Sequence, residues 1–404
     1  MAANYQSNPL VDEIAEWLVD QSLQNPNIVE MFEGLCNRIF AIGIPLSRAM
    51  LSYETLHPLF DSESVIWKRG DKVRFEQYTF DEDTAAWEKS PLFYMLESKT
   101  EILRRRLSGP NALLDFEVLH EFAEAGLTDY LAMTTGISIP SGGAYLNQTN
   151  EIIVSWSSDR DAGFSAEDIG TLTRLQRRYA VAAKTVIQSS IATNLTEAYL
   201  GKRPGKLVLN GNIRRGDGET IRAVVWYSDI RGSTLLADRL PMADYLDLLN
   251  DYFECAAGAA LAAGGEVLDF VGDGVLAIFP VEDESDIHAS ARAATKAVKD
   301  AIDRAEKINS ERRKKNETTL EFGIGLSLGD VMFGNIGVPE RLTFSVIGPT
   351  VNQVARIEKL TRKLQARALA TPSVAQACRE SWEAAGTHAL EGVVDPVELY
   401  SWAS

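Results

Sequence analysis

Asp229, Asp273, Asn352, Arg356 and the run Arg231-Gly232-Ser233-Thr234 are the places in this chain where residue type and spacing point to chemistry. Asp229 follows an apolar run, Ile221 to Tyr227, and Asp273 sits between two glycines in Gly265-Glu-Val-Leu-Asp-Phe-Val-Gly-Asp-Gly-Val-Leu-Ala-Ile-Phe279. If those strands are neighbours, the two carboxylates lie side by side. Such a pair suits Mg2+, which takes carboxylate and phosphate oxygens and keeps its waters. Taken singly, each reads as an aspartate capping a turn. The run after Asp229 opens a helix whose free N–H groups suit phosphate oxygens. Asn352 and Arg356 are four apart on a helix begun by Pro349, hence on one face. A forked guanidinium there matches phosphate charge; the plainer reading of Arg356 is an ion pair with Glu358 or another neighbour.

The elements that must position these residues follow from hydrophobic period. After the strand Ile221 to Tyr227, helical spacing resumes through Leu235, Leu236, Leu240, Tyr245, Leu248, Leu249 and Phe253. Gly272-Asp273-Gly274 turns a hairpin. A helix over Ile287 to Ile308 follows, then a second strand pair, Leu320 to Leu326 and Val331 to Phe333, and a short strand, Phe344 to Ile347. The order β, α-α, β-β, α, β is a ferredoxin-like plan, β-α-β-β-α-β with decorations, and predicts an α+β fold.

The segments "VVWYSDIRGST", "GGEVLDFVGDGVLAIFP", "GIGLSLGDVMFGNIG" and "FSVIGPTVNQVARIE" resemble, in order, the signatures of class III nucleotide cyclases. The resemblance covers 221–402. It implies conversion of ATP or GTP to a 3′,5′-cyclic monophosphate by a homodimer whose sites are shared across the interface. It also implies two Mg2+ or Mn2+ ions per site on Asp229, Asp273 and the Ile230 carbonyl, with phosphates on Arg231 to Thr234. Asn352 would orient the ribose and Arg356 would stabilise the reacting phosphate. Both aspartates fall at matching points of the motifs, which tips their reading from turn caps to metal ligands.

Three positions depart from the adenylate pattern. Asp269 and Ser345 stand where the base is read, and Glu391 where a phosphate-binding Lys is common. A carboxylate with a hydroxyl suits guanine's donors and acceptor, whereas the Ser and the bacterial look of the domain favour ATP. ATP is the first expectation and GTP the second. Loss of two cations beside a triphosphate leaves a degenerate nucleotide-binding regulator as a third, since fold does not fix function.

Upstream, Gly201 to Thr220 is rich in Gly, Arg and Lys and reads as a linker with one short strand, Leu207 to Leu209, dividing a domain over 1–200 from one over 221–404. The first domain opens with helices, Asp12 to Ser22 and Ile28 to Phe40. Strands follow at Ser47 to His57, Ser64 to Trp67, Phe75 to Thr79, Tyr130 to Thr134 and Glu151 to Trp156. It closes with a long exit helix capped by Ser165. This order resembles an α/β GAF-type sensor domain taking an unidentified small-molecule or protein input.

Other motifs fall away. His120-Glu-Phe-Ala-Glu124 lacks the second His of a zinc helix. Gly264-Gly265-Glu266 precedes a strand instead of forming a hairpin turn, unlike the diguanylate cyclase motif. Arg104-Arg105-Arg106 and Arg312-Arg313-Lys314-Lys315 read as solvated helix ends. With Lys+Arg 40 against Asp+Glu 57, the net charge of −17 argues against nucleic acid and anionic lipid as partners. Three scattered cysteines argue for a reducing compartment. The first ten residues lack a basic and an apolar region, and Cys255 to Ala263 is too short to span a bilayer, so a cytoplasmic protein is expected.

Overall fold

The computed structural model describes residues 8–24, 26–80, 85–140, 150–338, 340–393 and 395–403. The expectation drawn from the first ten residues falls largely on 1–7, outside the described residues. The chain forms two compact units that meet between Leu195 and Thr196.

The first unit is built on a six-stranded sheet, antiparallel throughout, of order β3-β2-β1-β6-β5-β4. Its strands are β1 (Arg48–Glu54), β2 (Phe60–Lys68), β3 (Arg74–Thr79), β4 (Ile102–Arg106), β5 (Asp129–Ile137) and β6 (Asn150–Ser158). Its helices are α1 (Pro9–Gln24), α2 (Ile28–Ala41), α3 (Ala85–Glu88), α4 (Pro91–Ser98), α5 (Glu117–Glu124) and α6 (Ala166–Leu200). Period-2 alternation sorts the side chains. Leu131, Met133, Val154 and Trp156 pack under α1, α2 and α6, while Tyr130, Ala132 and Ile153 pack under α4 and α5. The start of α6 is fixed by a reciprocal cap: the Asp168 N–H donates to Ser165 Oγ at 3.1 Å and the Ser165 N–H to the Asp168 carboxylate at 2.8 Å.

Arg104-Arg105-Arg106 corrects the helix-end reading, because it lies in the edge strand β4. Arg104 and Arg106 meet Asp129, which is fully buried, at 2.6 and 3.3 Å, and Arg105 meets Asp115 at 2.8 Å. Consecutive charges are compatible with a strand here because each finds a carboxylate.

In the second unit, α7 (Lys202–Leu209) occupies much of the expected linker, and Leu207 to Leu209 are its last turn, not a strand. Its Leu207 and Val208 pack against the sheet core, which favours helix over the Gly-rich context. Next come β7 (Gly218–Ile230), α8 (Ser233–Arg239), α9 (Met242–Ala262), β8 (Glu266–Val271), β9 (Gly274–Val281) and α10 (Ile287–Lys314). They are followed by β10 (Phe322–Val338), β11 (Arg341–Ile347), α11 (Pro349–Leu364), β12 (Ala368–Ala370), α12 (Pro372–Ala375), β13 (Trp382–His388) and β14 (Val397–Trp402). The sheet order is β13-β14-β12-β10-β7-β9-β8, with β11 on β10. The stretch β10-β7-β9-β8 interleaves the β7-α9-β8 and β9-α10-β10 crossovers, which is the ferredoxin-like plan. Alanines 256, 259, 260, 291, 294, 297, 301 and 305 are fully buried where α9 and α10 pack on one sheet face.

The expected strand pair over 320–333 is one continuous strand. Gly329 lies between the two expected strands, and it is glycine, as are Gly323 and Gly325, because of close packing. A Cβ on Gly325 would lie 2.6 Å from the Val354 carbonyl, and one on Gly329 2.3 Å from Thr350 Oγ1. These glycines let α11 rest directly on β10, while the alternate residues Ile324 and Leu326 face α9 and α10.

Candidate active site

β7 is the central strand of the site. Asp229 near its end pairs with Gly274 on β9 and Gly323 on β10, so the residue on either side of it has no side chain. The space is used: a Cβ on Gly274 would lie 2.8 Å from Tyr227 Oη, and one on Gly323 2.6 Å from Glu358 Oε1 and 2.1 Å from Thr361 Oγ1. Behind Asp229, on the α9 face, Ser228 Oγ contacts Tyr252 Oη at 2.8 Å and accepts from Trp226 Nε1 at 3.2 Å, which anchors the strand. Gly272, with φ 65°, takes the left-handed position of the two-residue turn that presents Asp273.

Asp229 and Asp273 are thereby brought together at the ends of adjoining strands. Burial, then the hydrogen bond to and charge of Asp273, push the Asp229 pKa up to about 7. Glu358 is also raised to about 7 by burial, against the pull of Arg231 and Lys359. The Tyr227 phenol is raised to about 12, by burial and then by Asp229, Glu358 and Asp273. A carboxyl raised in this way beside a second carboxylate is one whose ionised form a bound cation would favour. Among the described residues no group of three or more His, Cys, Asp or Glu is arranged to hold a metal. Asp229 and Asp273 are therefore a two-carboxylate set, which fits an ion whose other ligands are phosphate and water.

Asn352 and Arg356 lie on the opposite side of α11 from the face that docks here. At 100° per residue, Val354, Ile357, Glu358 and Thr361, all buried, form one face, and Asn352 and Arg356 form the other. Arg356 donates to the Asn352 carbonyl at 2.7 Å, and no ion pair to Glu358 forms. Within one protomer these two residues do not face Asp229 and Asp273.

Residues 219–392 match the family described as the adenylate and guanylate cyclase catalytic domain. The second unit is a class III nucleotide cyclase domain. An adenylate cyclase of Anabaena cylindrica is 33% identical over 177 residues, 42% of this chain and 34% of that protein. The chain thus spans about a third of the length of the curated relatives it matches. The P. aeruginosa adenylyl cyclase CyaB is 26% identical with a TM-score of 0.40, covering 46% of this chain and 96% of that one. The guanylyl cyclase Cya2 is 28% identical with the same TM-score, covering 46% and 94%. No described helix is long and apolar enough to cross a membrane.

The cyclase domain places the remaining expected residues unevenly. Ile230 buries its side chain in the α9/α10 core, leaving only its main chain for a ligand. Gly232 takes a left-handed φ of 74° before α8, with Thr234 exposed and Ser233 half-buried. Arg231 has partners within the protomer. Its N–H donates to the Glu321 carbonyl at 2.7 Å and its guanidinium to the Ala366 carbonyl at 2.6 Å, so it ties β7 to the end of α11. Asp269 pairs with Leu276, which pairs with Tyr227, in one cross-strand row on the Asp229 side of the sheet. Ser345 is not brought to it: Phe344 and Val346 turn into the core that holds Leu276, so alternation turns Ser345 the other way. Glu391 is exposed beside Gly392, whose Cβ position is 3.4 Å from the Arg356 guanidinium.

Sequence reasoning missed Glu358 and Tyr227 as members of this cluster. Glu358 was detectable as an acid inside the apolar stripe 354, 357, 361 of a helix. Tyr227 gave no signal, because an aromatic two positions before Asp229 reads as ordinary strand packing.

Proposed function

We propose that the cyclase domain converts ATP to 3′,5′-cyclic AMP and pyrophosphate, as a homodimer in which each site draws on both subunits. The observation that carries this is the Asp229–Asp273 pair, brought together at the ends of adjoining strands by the pairing of Asp229 with Gly274. In this reading Asp229 and Asp273 hold two Mg2+ or Mn2+ ions, aided by the Ile230 main chain. When bound, the ions neutralise the triphosphate and favour ionisation of the ribose 3′-hydroxyl. The N–H groups of Gly232, Ser233 and Thr234 meet the phosphates. The partner subunit's Asn352 orients the ribose, and the partner subunit's Arg356 carries the charge that develops at the α-phosphate. The opposed faces of α11 support the shared site, since a lone protomer leaves Arg356 turned from the carboxylates. The exposed Met332, Ile336 and Ile347 on β10 and β11 offer apolar surface for the association.

Base choice is proposed to rest on Asp269, since its row places it on the face that carries Asp229. Asp269→Lys is expected to move the ratio of kcat/KM for ATP over GTP toward ATP by about tenfold or more, because a buried group left without its partner discriminates strongly. An unchanged ratio would remove Asp269 from base recognition. A regulator that binds nucleotide without turnover is the second reading, favoured by the exposed Glu391 beside Arg356. Cyclic product from purified protein decides between them.

For the first unit we propose a GAF-like sensory role with an input of small-molecule or protein class. Its support is the antiparallel sheet between two helix layers and the capped α6, which continues past Leu195 to Leu200.

A further inference from the structure

We propose that Tyr227 is a positioning residue of the metal-binding pair: its phenol hydroxyl, held beside Gly274, donates a hydrogen bond to an oxygen of that pair when a divalent cation is bound, fixing the carboxylate that ligates it. The proposal rests on the reading of Asp229 and Asp273 as metal ligands. Tyr227 and Asp229 are two apart on β7, so both side chains rise from the same face of the sheet. The phenol leans along the strand toward the aspartate. Its Oη comes within 2.8 Å, and its Cζ within 3.2 Å, of where a Cβ on Gly274 would stand. Gly274 is at once the residue after Asp273 and the cross-strand partner of Asp229. The hydroxyl therefore sits beside the residue that adjoins Asp273 in the chain and Asp229 across the strands.

The glycine is the second half of the arrangement. Gly274 has no positive φ to explain it, and any side chain there would collide with the Tyr227 hydroxyl and with the Ser228 carbonyl, 3.1 Å away. Glycine at this position keeps the space over the turn open for the phenol. Among the described residues the Tyr227 hydroxyl has no hydrogen-bond partner, and the residue is half-buried, packed against the core of Val225 and Leu276. A phenol O–H in that position has anionic oxygens as its natural acceptors. Groups that hydrogen-bond metal-ligating carboxylates orient them, and their loss typically costs 10–100-fold in metal affinity.

Tyr227→Phe removes one oxygen and keeps the ring, so the packing of β7 is preserved. In the full chain without nucleotide, Mn2+ binding measured by calorimetry is expected to weaken about tenfold in Tyr227→Phe. The Mn2+ concentration for half-maximal cyclase activity should rise by a similar factor, with the nucleotide KM at saturating metal unchanged. Gly274→Ala should shift Mn2+ binding in the same direction by displacing the phenol. Tyr227→Phe added to it should cost nothing more. Unchanged Mn2+ affinity and metal dependence in Tyr227→Phe would overturn the proposal. Mn2+ binding that Tyr227→Phe weakens, in a wild-type chain that makes no cyclic product, would uphold it and overturn the cyclase reading alone.

Discussion

Asp273→Ala is expected to lower cyclic nucleotide formation by more than about a hundredfold, since a direct ligand should outweigh the 10–100-fold typical of the groups behind one. Asp229→Asn should do the same while making the fold more stable at high pH. The sign follows from the raised pKa values of about 7 at Asp229 and Glu358. A carboxyl whose pKa is higher folded than unfolded stabilises the fold fully below its unfolded value, near 4, and that stabilisation is lost as pH rises through about 7. Metal-free protein should therefore melt at a lower temperature at pH 8 than at pH 5. Asp229→Asn should flatten that dependence and raise Tm at pH 8, in part only, because Asp229 is half exposed and screened. Activity lost while stability rises is the pattern of a site whose strain serves function. An Asp229→Asn variant that keeps activity within a few-fold of wild type would remove the metal assignment.

Asp273→Ala and Arg356→Ala, each inactive alone, should restore activity when co-expressed. Two subunits that share sites assemble as a symmetric pair with two equivalent sites. A heterodimer of the two variants places both lesions in one site and leaves the other whole. Random assortment makes about half of the dimers mixed, so roughly a quarter of the wild-type rate should return. The physical basis is the helix period of α11. Glu358 and Thr361 are pressed onto Gly323 while Asn352 and Arg356 occupy the opposite side. Activity that stays at the level of the single variants would show that one protomer builds the whole site.

The cyclase half was legible in sequence because its signals are local. Alternating apolar runs, a Gly-Asp-Gly turn and a Pro-started helix each specify their own backbone. The errors came where a tertiary contact overrides a local preference. The stretch 320–333 was split into two strands because the Thr350 side chain that Gly329 accommodates is 21 residues away and cannot be seen in the run. Arg104-Arg105-Arg106 looked solvated because Asp129 and Asp115, which neutralise it, come from other parts of the fold. The basic run after Asn309 does end a helix, yet its Arg312 is buried, pairs with Asp251 and donates to the Thr318 carbonyl at 2.6 Å. Arg231 has a contact that the run also hides: its guanidinium donates to the Ala366 carbonyl at the end of α11. Motifs locate the reacting carboxylates well; the groups that hold them come from packing that no short window contains.

The central claim is that the Asp229–Asp273 pair supports cyclisation of a nucleoside triphosphate. Purified full-length chain incubated with Mn2+ and ATP, and separately with Mn2+ and GTP, tests it most directly, with products separated and the cyclic monophosphate and pyrophosphate quantified. The account predicts cyclic AMP and pyrophosphate in equal amounts, both absent with Asp273→Ala. Nucleotide that binds and is recovered intact from both incubations would contradict it.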